Sequence, residues 1–169
     1  MVQEANLVRT ENGLEPEGEG WYVLNACEAR WYENDEFGGF VNFEGDVRFA
    51  QLGFNIAVLA PGQPACMYHG EEDQEAFLVL AGEGLLLVEG EERPLRQWDF
   101  FHCPPWTEHV IVGAGEGPCV FVAVGARSPG PSVLYPARDV ALKHGAGVRE
   151  ETSSGAEAYA DVSEPDARP

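Results

Sequence analysis

The chain has 169 residues, of which 44% are hydrophobic and 11% aromatic, so its composition is that of a globular protein and its length favours one domain over two. Its 29 acidic residues against 10 basic ones give a formal net charge of −19 at pH 7. A surface this negative repels phosphate backbones and anionic lipid headgroups, so neither nucleic acid nor a membrane is expected as a partner.

No stretch approaches the roughly 18 to 20 apolar residues of a membrane span, and the first ten residues lack the layout of a signal peptide. We therefore expect a cytoplasmic protein. The four cysteines, Cys27, Cys66, Cys103 and Cys119, are widely spaced and form no CxxC pair. This spacing predicts reduced thiols, mostly buried.

Residues 1–20 are polar and rich in Glu and Gly, which predicts a loosely held N-terminal arm with order beginning near Trp21. Residues 21–127 contain short apolar runs separated by Gly and Pro turns, typical of β-strands. The runs are WYVLNA, FNIAVLAPG, AFLVLAGEG, LLLVEGEE, WDFFHCPP, HVIVGAGEGP and CVFVAVGA. Because no helical stretch separates them, the pattern predicts an all-β sandwich, jelly roll or barrel.

The composition changes after Ser128, and residues 128–169 are predicted to form a C-terminal extension. It contains one short helix candidate, from about Ala137 to Lys143, ended by Gly145. The polar segment that follows has little to bury, so we expect a tail that lies on the barrel or on a partner subunit.

Candidate metal ligands come from two segments. His69 and Glu71 share one face of a regular strand, and a turn through residues 72–74 brings Glu75 back beside His69. Glu75 heads an apolar strand, where a carboxylate is costly to bury without a cation. His109 opens another apolar strand after a Pro-Pro turn. Imidazole and carboxylate donors suit divalent iron, manganese, nickel, copper or zinc.

These two segments resemble the two histidine motifs of the cupin family. The first motif runs Gly, five residues, His, any residue, His, three or four residues, Glu, six residues, Gly. The matching residues are the Pro61-Gly62 region, His69, Glu71 in place of the second His, Glu75 and Gly82. The second motif is matched by Trp98-Asp99, Pro104, Trp106 and His109, with Trp98 in place of a glycine. With the flanking strands, the likeness extends over roughly residues 50 to 126.

The resemblance implies a double-stranded β-helix, the jelly-roll cupin barrel, over residues 21–127. It implies that His69, Glu75 and His109 bind a metal. Glu71 is either a further ligand or a general base beside a metal-bound substrate. His102 is predicted to lie in the barrel wall rather than to act as a fifth donor, and Cys66 is predicted to serve packing.

Several apolar residues are candidates for the walls of the site. Phe77, Val79 and Ile111 share strand faces with the predicted ligands and are expected to line a pocket. An aromatic cluster nearer the N-terminus closes one end of the cavity or pairs across a dimer; its members are Trp21, Tyr22, Trp31, Tyr32 and Phe37.

Three functions remain open from the sequence. The first is a metalloenzyme acting on a small oxygen-bearing substrate, of the dioxygenase, isomerase or decarboxylase type. The second is a barrel that binds or senses a small ligand without a reaction. The third is a structural domain whose arm and tail form an oligomer. A homodimer with a small-molecule ligand is expected, and the substrate is left open because fold does not determine function.

Overall fold

The computed structural model describes residues 1–130 and 132–168. Their strands, in chain order, are β1 (Asn6–Thr10), β2 (Gly13–Glu17), β3 (Trp31–Asn34), β4 (Gly38–Val41), β5 (Leu52–Leu59), β6 (Gly70–Glu71), β7 (Glu75–Ala81), β8 (Glu83–Val88), β9 (Glu91–Arg96), β10 (Phe100–Cys103), β11 (His109–Ala114), β12 (Cys119–Ala126), β13 (Val133–Leu134) and β14 (Asp166–Arg168). The helices of these residues are α1 (Asp139–Lys143) and α2 (Gly155–Ala158). The all-β prediction is confirmed.

Two antiparallel sheets dominate the fold. The larger has seven strands in the order β10-β7-β12-β5-β4-β3-β14, and the smaller has the order β11-β8-β9. Two isolated bridges, Pro64↔Val112 and His69↔His109, lay residues 64–69 along β11. The sheets enclose a core of Ala57, Leu59, Phe77, Val79, Leu86, Cys103, Ile111, Cys119 and Phe121. This two-sheet antiparallel arrangement is consistent with a jelly roll.

Six of the seven predicted apolar runs form strands: β5, β7, β8, β10, β11 and β12. The first run, residues 21–26, is not a strand. The motif glycine Gly82 has φ +74°, and a Cβ there would lie 2.1 Å from the carbonyl oxygen of Pro118. Only glycine fits this turn between β7 and β8 without displacing the neighbouring backbone.

The prediction of a loose arm over residues 1–20 is wrong. β1 and β2 form an antiparallel hairpin in which Thr10 pairs with Gly13, and the Thr10 hydroxyl donates to the Gly13 carbonyl. Gly13 has φ +127°, and a Cβ there would lie 2.7 Å from the backbone of Ala29. The Asn12-Gly13 pair is a hairpin signal that outweighs the polar composition of the arm.

The C-terminal extension packs on the barrel. The predicted helix is confirmed as α1, two residues shorter at its start, and Gly145 follows it with φ +71°. Of the two locations left open for the tail, the barrel is the one observed, because β14 pairs with β3 and Ala158 packs with Met67 and Tyr135. Among the described residues, no helix is long and apolar enough to cross a membrane.

The extension covers the outer side of the smaller sheet. We call Leu85, Leu87, Val110 and Val112 the covered face. Tyr68, Ala141 and Ala146 pack against these residues. Ion pairs surround this apolar contact: Arg138 donates twice to Glu108, and both Lys143 and His144 reach Glu92.

Candidate metal centre

His69 and His109 face each other across a backbone pair. The His109 amide donates to the His69 carbonyl at 2.8 Å, and the His69 amide donates back at 3.2 Å. Directly opposed residues of an antiparallel pair place their side chains on the same side. The two imidazole ring centroids are therefore only 5.1 Å apart.

Each imidazole is oriented by a backbone carbonyl two residues before it. Nδ1 of His69 lies 2.8 Å from the Met67 oxygen, and Nδ1 of His109 lies 3.0 Å from the Thr107 oxygen. A carbonyl oxygen only accepts, so Nδ1 carries the hydrogen in both rings and Nε2 of a neutral ring offers its lone pair. This orientation is the one that metal-ligating histidines use.

Glu75 completes the cluster from the first position of β7. Its Oε2 lies 3.2 Å from Nε2 of His109 but is a buried oxygen without a hydrogen-bond partner, because the contact lacks hydrogen-bond alignment. One donor atom from each of His69, Glu75 and His109 lies within 4.8 Å of the others. Ligands at about 2.1 Å from one ion are at most about 4.2 Å apart, so a small side-chain movement brings all three to a shared metal. The orphaned oxygen and the chemistry of the donors both fit a divalent transition metal.

The two imidazoles differ in protonation. Burial lowers the pKa of His69, and the adjacent His109 lowers it further. Burial also disfavours charge on His109, but the Cys103 thiol and the Glu75 carboxylate outweigh it and raise the pKa of His109 to about 10. A positive charge between His109 and Glu75 is therefore favoured, as expected at a site built for a cation.

Glu71 lies beside this cluster. It belongs to β6, and its Oε2 is 4.0 Å from Nε2 of His69, outside the group of three donors. Burial, together with the nearby Glu75 and Asp73 carboxylates, raises the pKa of Glu71 to about 7. A carboxyl group with this pKa can exchange a proton near neutral pH.

The cluster opens into a cavity of about 250 Å³ between the two sheets. The predicted wall residues Phe77 and Ile111 line it, and so does Phe37, whereas Val79 lies in the core. The cavity adjoins a second one of about 540 Å³, and Phe37, Phe40, Ala65 and Cys66 line both. The outer wall of the second cavity comes from the C-terminal extension, at Ala156, Tyr159 and residues 162–165.

The other sequence candidates are not among the three donors. His102 is exposed on β10 and pairs with Ala76, which is the predicted wall position. Trp21 and Tyr22 line a separate groove with Phe54. Cys66 lines the cavity, with Sγ 3.8 Å from Nδ1 of His69, and burial raises the pKa of its thiol to about 12.

Sequence reasoning missed two polar neighbours of the site. Cys103 is buried, and its Sγ lies 3.4 Å from Nδ1 of His109. Asn55, on β5, lines the cavity beside Glu75. Asn55 stands at an inward position between apolar residues, and a polar residue inside an apolar strand was the available signal.

The molecule is thus an all-β protein with a His-His-Glu cluster in the cavity between two sheets. Residues 55–125 match the family described as the cupin domain. This match covers less than half of the chain, and together with the fold it confirms that this part of the chain resembles the cupin family. The expected range of residues 50 to 126 is confirmed.

Solved structures show the same fold. A cupin-superfamily sugar phosphate isomerase from Silicibacter pomeroyi is 23% identical over 56% of this chain and 62% of that chain, with a TM-score of 0.52. A Cupin 2 conserved barrel domain protein from Salinispora arenicola is 19% identical over 66% of this chain and 92% of that chain, with a TM-score of 0.52.

A putative sugar phosphate isomerase from Acidithiobacillus ferrooxidans is 28% identical over 49% of this chain and 55% of that chain, with a TM-score of 0.47. The chain spans 55% and 62% of the two isomerase structures. No curated protein matches the sequence significantly.

One departure from the family motif has a structural cost. Trp98 stands where the motif has glycine, and its φ is +75°. A left-handed backbone is uncommon for a bulky residue and costs about 1 kcal/mol or more. The Trp98 amide nevertheless donates to the Val79 carbonyl, and the Asp99 carboxylate accepts from the Arg96 amide, so the turn into β10 is formed.

Proposed function

We propose that this protein is a metal-dependent enzyme that converts a small oxygen-bearing molecule at His69, Glu75 and His109. The observation that supports this most is the convergence of the three donors within 4.8 Å around a buried carboxylate oxygen that has no hydrogen-bond partner. A buried carboxylate oxygen without a hydrogen bond is costly, and a cation is a partner that this geometry accepts.

The proposed metal is a divalent transition ion, held by Nε2 of both histidines and a carboxylate oxygen of Glu75. Iron, manganese, nickel, copper and zinc all accept these donors, and two histidines with one carboxylate is a set that leaves positions open for substrate. When bound, such an ion supplies Lewis acidity towards a substrate oxygen or, with iron, activation of dioxygen.

The residues around the donors have separate tasks in this proposal. The Met67 and Thr107 carbonyls hold the imidazoles in one orientation. Glu71 accepts or returns a substrate proton at its carboxylate, since it lies beside His69 without being one of the three donors. The Asn55 amide orients the substrate from β5. The aromatic side chains of Phe77 and Phe121 exclude water from the cavity.

The cavity limits the size of the substrate. Ligand pockets for drug-sized molecules are typically about 300 to 1,000 Å³, so the 250 Å³ cavity takes a smaller molecule. We infer that it enters through the adjoining cavity beside the C-terminal extension, because four residues line both spaces. The occupant is a compact molecule that offers oxygen to the donors and an apolar surface to Phe77 and Phe121.

Metal analysis tests the first part of the proposal. Protein purified without a metal-affinity step is compared with the double variant His69→Ala/His109→Ala by elemental analysis. Near-stoichiometric transition metal in the wild type and its loss in the variant are expected. A wild type that stays free of metal after incubation with each ion would contradict the proposal and favour the alternative, a barrel that binds a small ligand without reaction.

Two glutamine variants test the role of Glu71. Glu71→Gln is expected to retain the metal and to turn over the wild-type substrate, identified by screening small oxygen-bearing molecules, about 100-fold or more slowly, because a proton acceptor is removed. Glu72→Gln, one residue further and exposed, is the matched control and should keep both. Loss of metal from Glu71→Gln would instead make Glu71 a ligand.

A further inference from the structure

The cavity beside the metal donors continues into the adjoining cavity of about 540 Å³, which we call the outer cavity. Phe37, Phe40, Ala65 and Cys66 line both spaces. The three donors line the inner cavity, whereas the outer cavity contains none of them. A molecule that reaches the donors with one end can therefore extend past the shared wall and place its other end in the outer cavity.

The polar side chains around the outer cavity are already engaged with their own neighbours. Asn34 accepts at Oδ1 from the amides of Glu36 and Phe37. Its Nδ2 donates to the Ser163 carbonyl, and the Ser163 hydroxyl donates to the Glu36 carboxylate. A ligand group that requires hydrogen bonds would have to replace these contacts, which brings no net gain. The outer cavity therefore favours an apolar group.

Aromatic rings give the outer cavity its shape. Phe37 and Tyr159 meet edge to face with ring centroids 5.6 Å apart, and Phe40 lines the same space. The Tyr159 ring is held from its far end, because its hydroxyl accepts from the Met67 amide. Phe40 is held by stacking on Tyr32, with centroids 5.2 Å apart. Rings in fixed positions attract a further ring in an offset or edge-to-face arrangement, so a flat aromatic group suits this space.

The charge of the lining disfavours an anionic group. Glu164 is exposed, and it is the one charged residue among the described residues that line the outer cavity. The whole chain carries a formal charge of −19. A phosphate or a second carboxylate in the outer cavity would be repelled without meeting a cationic side chain of this lining. The group that fits is therefore uncharged.

We propose that the outer cavity is a substrate-binding subsite for an uncharged aromatic group. This inference rests on the proposed function and adds a substrate class to it. The oxygen-bearing end of the substrate reaches the metal donors, and its aromatic end lies among Phe37, Phe40 and Tyr159. The C-terminal extension then determines specificity, because Ala156, Tyr159 and residues 162–165 form the outer wall.

Two hydroxamic acids that differ only by a phenyl ring test the subsite. Acetohydroxamic acid carries the metal-binding end alone, whereas phenylacetohydroxamic acid carries the same end and an aromatic group. Their dissociation constants are measured by isothermal titration calorimetry with zinc-loaded protein. We expect the phenyl compound to bind wild type at least about tenfold more tightly, because the subsite removes its ring from water.

Two tryptophan variants locate this gain in affinity. Ala156→Trp adds a large side chain to the wall of the outer cavity, and Ala160→Trp adds the same side chain at an exposed position four residues later that is not part of the lining. Ala156→Trp is expected to bind acetohydroxamic acid as wild type does and to lose the tenfold gain for the phenyl compound. Ala160→Trp is the matched control and should keep both affinities.

Equal binding of the two compounds to wild type would overturn the subsite. A gain that persists in both Ala156→Trp and Val162→Asp would do the same, since Val162→Asp is a second change in the lining, one that adds a charge.

If neither compound binds, the proposed metal centre fails, and the subsite is tested separately with phenethyl alcohol and metal-free protein by ligand-observed NMR. Binding that is lost in Ala156→Trp and kept in Ala160→Trp would retain the subsite without the metal. Absence of binding to wild type would overturn the subsite as well.

Discussion

The outer sides of the two sheets are alike in composition and unlike in environment. On the smaller sheet, Leu87 is 0% exposed and Val110 and Val112 are each 1% exposed. On the larger sheet, Val122 and Leu78 occupy equivalent outward positions but remain half-buried. The difference lies in the C-terminal extension, whose Ala141 and Ala146 pack on the smaller sheet alone.

This contrast shows that apolar residues on both sides of a β-strand indicate that both sides are covered. The strand sequence does not indicate which segment or partner covers the outer side. The covered face is closed by the C-terminal extension, residues 128–169 of the same chain. The outward apolar positions of β5, β7 and β12, which include Leu78 and Val122 and which we call the open face, lie outside that contact. The extension also resembles a protein interface in its layout, with an apolar centre and ion pairs at Glu108 and Glu92 around it.

Matched leucine truncations should give the largest difference between the two faces. Leu87→Ala removes a fully buried side chain and is expected to lower the free energy of unfolding by about 2 to 5 kcal/mol. Leu78→Ala, in the open face, should cost about 1 kcal/mol in dilute protein, because its side chain is already partly in water. Urea denaturation measures both.

Protein concentration sharpens this comparison. If the homodimer expected from the sequence forms through the open face, binding between copies stabilises the folded state by mass action. The cost of Leu78→Ala should then increase between two concentrations about a hundredfold apart, whereas that of Leu87→Ala should not. Equal costs for the two variants at both concentrations would mean that the open face is covered within the monomer.

The sequence predicts the strands of both sheets but not which side of each strand faces the core and which outer side is covered. In β5, Phe54, Ile56 and Val58 alternate with Ala57 and Leu59, so both sides read as apolar and the run is recognisable as a strand. Which side receives the core depends on register with β7 and β12, and which outer side receives the extension depends on a chain segment about fifty residues away. Neither is encoded in the local pattern.

The candidate site divides in the same way. His69, Glu75 and His109 were predictable because short motifs with characteristic spacing contain them, and the hydrogen-bonded pairing of His69 with His109 brings them together. The groups that support these donors could not be predicted from the sequence. Tyr159 belongs to no recognisable motif and lies 92 residues from Met67 along the chain. Its hydroxyl nevertheless accepts a hydrogen bond from the Met67 amide.

Removing that hydroxyl tests whether the extension supports the site as well as the covered face. Tyr159→Phe leaves the Met67 N–H without its acceptor, which should cost about 1 to 3 kcal/mol of stability. Because the Met67 carbonyl orients His69, we also expect weaker metal binding, measured by competition with a chelator.

A second tyrosine gives the control. The Tyr22 hydroxyl donates to the Phe43 carbonyl at 2.7 Å, in the groove near the open face. Tyr22→Phe removes a comparable hydrogen bond but touches none of the three donors, so metal affinity should stay at the wild-type value. If both variants lose metal equally, the effect of Tyr159 is on general stability rather than on the orientation of His69.

The smallest expected effect concerns the ion pairs around the covered face. Arg138 donates from Nε and from one terminal nitrogen to Glu108, but 45% of its side chain is exposed. Exposed pairs contribute about 0.2 to 1 kcal/mol and are screened by salt, so Arg138→Ala should lower stability by no more than this, and less in high salt. Arg93→Ala, which breaks a pair with Glu91 within β9, serves as the control. A loss above about 2 kcal/mol that persists in high salt would show that Arg138, rather than the apolar packing around Tyr68 and Leu87, holds the extension on the barrel.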